Sequence, residues 1–175
     1  RSTTVTGVQT CALPIFMKEI KKTNAARILD DLGITYELVR FDADESDLSA
    51  ETAAVAVGLP YERVYKTLVA RGNNTGVMEA CIPAGMELDF KALAAVSGNK
   101  NVALVPLKEV QPLTGYIRGG CSPLGGKKHY PVYVHEEAAG HPNIAVNAGV
   151  RGLLFLISPD DLLKATGGRL VSIAK

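Results

Sequence analysis

Gly119-Gly120 and Gly125-Gly126 lie on either side of Ser122-Pro123, and Lys127-Lys128 follow at once. Four glycines let the backbone take positive φ and bring amide N–H groups to a surface with no side chain in the way; only Pro123 fixes φ. Such a loop is prepared to hold a phosphate, a carboxylate or a developing oxyanion. Read alone, the stretch from Gly115 to Lys128 is equally a wide surface turn. A second glycine turn, Asn147-Ala148-Gly149-Val150-Arg151-Gly152, adds an amide and a guanidinium able to bind a ribose, a carbonyl or a phosphate. Its plainer alternative is a hairpin turn between two strands.

Lys66 is the third candidate. In Val64-Tyr65-Lys66-Thr67-Leu68-Val69 alternate side chains share a face, so Lys66 stands between Val64 and Leu68 on an apolar one. A lysine projecting into a partly buried cavity costs several kcal/mol unless it meets an anion. The competing explanation is a gatekeeper lysine on an edge strand, snorkelling to water. His129, His135 and His141 have no metal-ligand spacing and read as ordinary loop or strand-end histidines, so no metal or cofactor is expected. Cys121 next to Ser122 suggests a nucleophile, but the sequence places no histidine and acid to activate it.

The elements that must position these residues follow from caps and periodicity. Thr23 caps a helix through Ala26, Ile28, Leu29 and Leu32, stopped at Gly33; Ile34 to Phe41 has strand composition; Asp42 to Asp47 is a solvated acidic loop. Ser49 caps a short helix ending at Gly58. Val64 to Arg71 and Val77 to Ala84 form a hairpin around Gly72 to Gly76, and Asp89 caps a helix that stops at Gly98. Val102 to Val105 reads as a buried strand, with Pro106 where a first helical turn would want it. Val132 to His135, Ile144 to Asn147 and Leu153 to Ile157 are strands; Ser158-Pro159 starts a helix ended by Gly167-Gly168, and Leu170 to Ile173 is a last strand. Several connections are too short for crossovers and the alternation is irregular. An α+β fold is expected, a single compact domain whose mixed, curved, partly barrel-like sheet packs with helices.

Residues 1–16 do not fit that domain. They carry no apolar period, Gly7, Gln9 and Pro14 break any signal-peptide core, and Met17-Lys18 follows like an initiation site. They read as a leader of translated adapter sequence, leaving 17–175 as the domain. Arg1 is the only charge in the leader, so the 19 basic and 18 acidic residues of the whole chain become a balanced set without it. A protein that covers many phosphates carries a clear positive excess, so contact with nucleic acid is expected to be local and weak. Cys81 and Cys121 form no Cys-x-x-Cys pair, which suits a reducing cytoplasm. The apolar run Leu153 to Ile157 is far short of a bilayer span, so no membrane is expected as a partner.

Taken together, Tyr65-Lys66-Thr67-Leu68-Val69, the loop Gly115 to Lys128, and Gly149-Val150-Arg151-Gly152 followed by Leu153-Leu154 resemble the YbaK and prolyl-tRNA synthetase-associated family of aminoacyl-tRNA editing domains. The order and spacing hold from about Lys22 to the C-terminus. The resemblance implies a deacylase, acting in the free-standing branch most often on Cys attached to tRNA for proline. It implies Lys66 as the essential lysine, with Thr67 beside it in the pocket. Gly119, Gly120, Ser122 and Gly125 would receive the aminoacyl end, and Asn147, Gly149, Arg151 and Gly152 would form the second loop. The partners it implies are a tRNA acceptor end and a prolyl-tRNA synthetase, with no DNA. Phe41, Asn147-Ala148, Val150 and Leu154 stand where members often carry Tyr, Ser-Gly, Lys and Asp. Two alternatives stay open: a deacylase for alanine or another small residue, and a silent module that binds an aminoacyl-tRNA end or a synthetase. No triad is visible, so the nucleophile is expected to be water or the substrate's own thiol.

Overall fold

Thr23, Ser49, Asp89 and Ser158 each stand at a helix start and accept a hydrogen bond from a backbone N–H of the first turn. The donors are Ala26 (3.1 Å), Thr52 (3.2 Å), Ala92 (3.0 Å) and Asp161 (3.2 Å). Each cap satisfies an orphan donor and is worth about 1 kcal/mol. The capped helices are α1 (Asn24–Asp31), α2 (Ala50–Val57), α3 (Phe90–Ser97) and α5 (Pro159–Thr166). A further helix, α4 (Leu107–Thr114), starts after Pro106 without a side-chain cap and contains Pro112. The computed structural model describes residues 22–175 and the backbone of residues 2–6.

The strands are β1 (Ser2–Thr6), β2 (Glu37–Phe41), β3 (Val64–Gly72), β4 (Gly76–Pro83), β5 (Val102–Leu104), β6 (Val132–His135), β7 (Ile144–Asn147), β8 (Leu153–Ile157) and β9 (Arg169–Val171). They form one mixed sheet in the order β1-β2-β8-β7-β3-β4-β6-β9, with β5 added beside β3. The pairs β3–β7, β4–β6 and β6–β9 are parallel; the other pairs are antiparallel. The α+β class is therefore borne out, but the strand path ends at β1 and β9 and does not close as a barrel would.

Within the segment expected to stand apart from the fold, Ser2–Thr6 pair antiparallel with β2 from Ser2–Phe41 to Thr6–Glu37. The rest of that segment lies outside the described residues. Val102–Leu104 is a strand as expected but not a buried one, because Ala103 and Leu104 are exposed.

Alternation along β3 divides the core. Tyr65 packs with α1 and α5 in a cluster with Ala26, Leu29, Phe155 and Leu162, while Val64 faces Ala54 of α2 and Ala70 faces Leu93 of α3. The sheet is thus covered on both faces, which is why its central strands read as nearly continuous apolar runs. Tyr36 meets Phe155 edge to face at 5.3 Å and donates its hydroxyl to Asp30 at 2.9 Å. Burial and that neighbouring carboxylate raise the Tyr36 pKa.

Candidate active site

One edge of β3 is shared by two strands that do not meet. β7 covers Val64 and Tyr65, and β5 covers Ala70 to Gly72, with Val105 N–H donating to Val69 carbonyl at 3.0 Å. Between them, from Lys66 to Leu68, β3 has no strand neighbour on that edge. Strand hydrogen bonds alternate sides, and Val69 turns its carbonyl to the β5 side, so Thr67, two residues back, turns its own N–H and C=O into the slit. A cavity of about 710 Å³ opens there, a size suited to a small ligand.

Around the slit the cavity collects Lys66 and Thr67 from β3, Gly119 and Cys121 from the glycine loop, Asn147 at the end of β7, and Gly152. These side chains and loops come from distant parts of the sequence and are tied directly together. Asn147 Nδ2 donates to Gly119 carbonyl at 2.9 Å, and its Oδ1 accepts from Gly149 N–H at 2.7 Å. Arg151 Nε donates to Arg118 carbonyl at 2.8 Å, with Glu45 3.7 Å from its guanidinium. At Gly120 an added Cβ would come within 3.1 Å of Arg151 N; at Gly152 it would come within 2.5 Å of Phe41 carbonyl, where φ is also +80°. No side chain fits at Gly152.

Lys66 is half-buried and donates from Nζ to Ala84 carbonyl at 3.1 Å. β4 borders one edge of β3 along its length, and on the other edge β7 and β5 confine the open stretch to Lys66–Leu68, which gives onto the cavity.

The remaining expected residues sit behind the wall. Ser122 is 1% exposed, and its hydroxyl accepts from Leu124 N–H at 3.3 Å. Gly125 has φ +71° and packs against α1, where a Cβ would lie 2.7 Å from Ala25 N, and Asn24 Nδ2 donates to its carbonyl at 3.0 Å. Gly120 closes a turn by donating its N–H to Ile117 carbonyl at 2.9 Å. Arg118, Gly119 and Cys121 are therefore the loop residues on the cavity wall. Gly149 and Arg151 border a neighbouring cavity instead.

Cys121 lines the cavity as a thiol. Burial, and secondarily the Glu79 carboxyl, push its pKa up to about 12, so it is no ready nucleophile. Cys81, opposite Thr67 on β4, is likewise pushed up to about 12, chiefly by burial. Glu79 itself is 5% exposed, and its Oε2 has no hydrogen-bond partner among the described residues; burial raises its pKa to about 7.

His135 accepts at Nδ1 from Ile173 and Ala174 N–H, both at 3.2 Å, which puts its ring proton on Nε2 for Glu137 Oε2 at 3.0 Å. It is a structural histidine. Among the described residues no three His, Cys, Asp or Glu side chains gather to hold a metal.

Sequence reasoning missed the far wall: Leu104, Val105, Leu107 and Val110 around β5 and α4, and the first turn of α2. Leu104 and Leu107 stand 46% and 61% exposed beside Pro106, and an apolar stretch with no obvious burial was the available signal.

An inner strand with an interrupted edge, facing two tethered glycine loops and one lysine, suits polarising an ester without a protein nucleophile. The family model for the aminoacyl-tRNA editing domain matches residues 44–165. A relative from Enterococcus faecalis (strain ATCC 700802 / V583), named as a candidate Cys-tRNA(Pro)/Cys-tRNA(Cys) deacylase, EbsC, is 44% identical over 156 residues, 89% of this chain and 95% of the relative. The chain belongs to the aminoacyl-tRNA editing domain family, and the expected class, an enzyme that edits aminoacyl-tRNA, is borne out. Among solved structures, a candidate trans-editing enzyme for prolyl-tRNA synthetase superposes with a TM-score of 0.73 at 25% identity, over 89% of this chain and 99% of the other. A hypothetical protein, APE2540, shares the fold at a TM-score of 0.79 and 23% identity, over 87% of this chain and all of its own.

Proposed function

We propose that the protein acts in trans to clear cysteine from mischarged tRNA for proline, in the cytoplasm and beside a prolyl-tRNA synthetase. The observation that carries this is the slit in β3, where Lys66 and Thr67 share one cavity with Gly119, Cys121 and Asn147. The names of the Enterococcus relative and of the trans-editing structural neighbour support the choice of substrate.

In this reading Lys66 supplies a point charge that holds the terminal nucleotide, and backbone donors at the slit and the glycine loop polarise the ester carbonyl. Asn147 and Arg151 hold the two loops at fixed separation. The nucleophile is not Cys121, whose proton is held tightly. The thiol of the substrate's own cysteine attacks its carbonyl instead: the C–S bond forms, the ester C–O bond breaks, and the thiol proton goes to the departing ribose oxygen. A free tRNA end and a cyclic thioester result.

Incubating the protein with tRNA for proline charged separately with cysteine, alanine and proline, and following loss of ester, tests this. Rapid loss of the cysteine ester with the proline ester intact is expected. Preferred loss of the alanine ester would move the specificity to a small residue, with water as nucleophile, and no loss from any of the three would leave only a binding module.

A further inference from the structure

A second cavity of about 730 Å³ adjoins the first and is not used by the chemistry above. The two share Phe41, Ala43 and Gly152 as a partition. Their charges differ. Asp44, Asp47 and Glu51 line the first cavity with Lys66 and Arg118, whereas Lys22, itself paired with Asp30, and Arg40 and Arg151 line the second, where Asp42 is the only acid among the described residues. Tyr116 borders the second cavity too, and Gly149 passes so close that a Cβ would lie 3.0 Å from its ring.

An RNA chain whose last nucleotide occupies the first cavity must leave it carrying one phosphate per residue. Three acids against two bases in the first cavity disfavour one way out, and three bases against one acid in the cavity beyond the partition favour the other. Cations interleaved with aromatic rings are how proteins hold single-stranded nucleic acid, the rings stacking bases and the cations meeting phosphates.

We propose that the second cavity is the track for the unpaired nucleotides just before the 3′ terminus, with Arg40 and Lys22 at its phosphates and Phe41 and Tyr116 beside its bases. This rests on the deacylase reading of the first cavity. The near-balanced charge of the whole chain fits a short track of two or three phosphates better than a broad RNA-binding face.

The test compares wild type with Arg40→Glu and Lys22→Ala, each first shown to melt as wild type does. Three probes are used: a fluorescent single-stranded RNA ending in CCA, cysteine-charged tRNA for proline, and a cysteine ester of adenosine alone. Lys22→Ala should bind the RNA about tenfold more weakly, the size of one lost charge-assisted contact, with a log–log salt slope smaller by about one, and Arg40→Glu, which sets a carboxylate against the phosphate, should bind at least as weakly. KM for the charged tRNA should rise by a similar factor, while turnover of the adenosine ester stays unchanged, because that probe never enters the track. RNA binding equal to wild type in Arg40→Glu overturns the track, and so does equal damage to both esters. Wild-type protein that cleaves neither ester overturns the deacylase reading instead, and the RNA-binding comparison still decides the track on its own.

Discussion

Asn147 and Gly119 are joined by a 2.9 Å hydrogen bond from side-chain amide to backbone carbonyl, which with the Arg151–Arg118 bond ties the two glycine loops together. Asn147→Ala removes it together with the acceptor for Gly149 N–H. The ester-cleaving kcat/KM should fall about tenfold, roughly 1.4 kcal/mol. Asn147→Asp keeps the acceptor but sets a carboxylate oxygen against the Gly119 carbonyl, and should be at least as impaired. Steady-state kinetics matching wild type in both variants would show that the loops hold their separation without it.

Lys66→Ala should lower deacylation by about two to three orders of magnitude, the cost of removing one electrostatic stabiliser from a reacting centre. Stability should hold or rise slightly, since a half-buried ammonium bonded to one carbonyl at Ala84 is replaced by a methyl group. Ester loss and thermal melting, measured together, separate this from a solubility lysine, for which activity would persist and aggregation would increase.

Glu79 should make stability depend on pH. Its carboxyl titrates at about 7 in the folded chain and at the ordinary 4.5 when unfolded, with burial as the cause. Between those values the folded state keeps a proton that the unfolded state has released, so folding is weakened as pH rises from about 4.5 to 7 and stays weakened above. The full effect is about 3 kcal/mol. Cys81, Cys121 and Tyr116 feel this carboxyl, and all three stay protonated through that range. Glu79→Gln should therefore flatten the profile of melting temperature against pH and melt higher than wild type at pH 8. An unchanged slope in the variant would place the effect elsewhere.

Deleting residues 1–16 should leave melting temperature and deacylation unchanged, because β2 keeps β8 along its other edge when β1 is removed. A fall in melting temperature beyond about 4 °C, near 1 kcal/mol for a chain this size, would make β1 an integral strand.

What the sequence made legible was local. The caps at Thr23, Ser49, Asp89 and Ser158, the glycine stops at Gly58, Gly98 and Gly167, and the β3–β4 hairpin all depend on residues a few positions apart. Alternation also assigned the right face to Lys66, because period two is a property of the strand itself. It could not say which strands lie beside β3. The pairing of Val64 with Ala145 and of Ala70 with Leu104 decides where the edge is left open, and side-chain pattern carries no information about such neighbours. Ser122 and Gly125 show the complementary limit: residues of the glycine loop serve its internal turn and its packing on α1, and motif membership does not separate those roles from contact with a ligand.

The interrupted edge of β3 also fixes when the site can exist as the chain folds. The β3–β4 hairpin needs only its own turn and can close within microseconds, but the two strands that frame the slit arrive separately. β5 follows soon after; β7 must return from much later in the sequence to lie parallel to Val64 and Tyr65. Parallel pairing over such a span is among the slowest steps of folding, because the loop must be closed before any contact rewards it. During synthesis the hairpin would therefore wait with Lys66 already placed and no cavity around it. The enzyme becomes competent only when β7 docks, so a ribosome-bound fragment that ends before Ile144 should carry the lysine and bind no aminoacyl end.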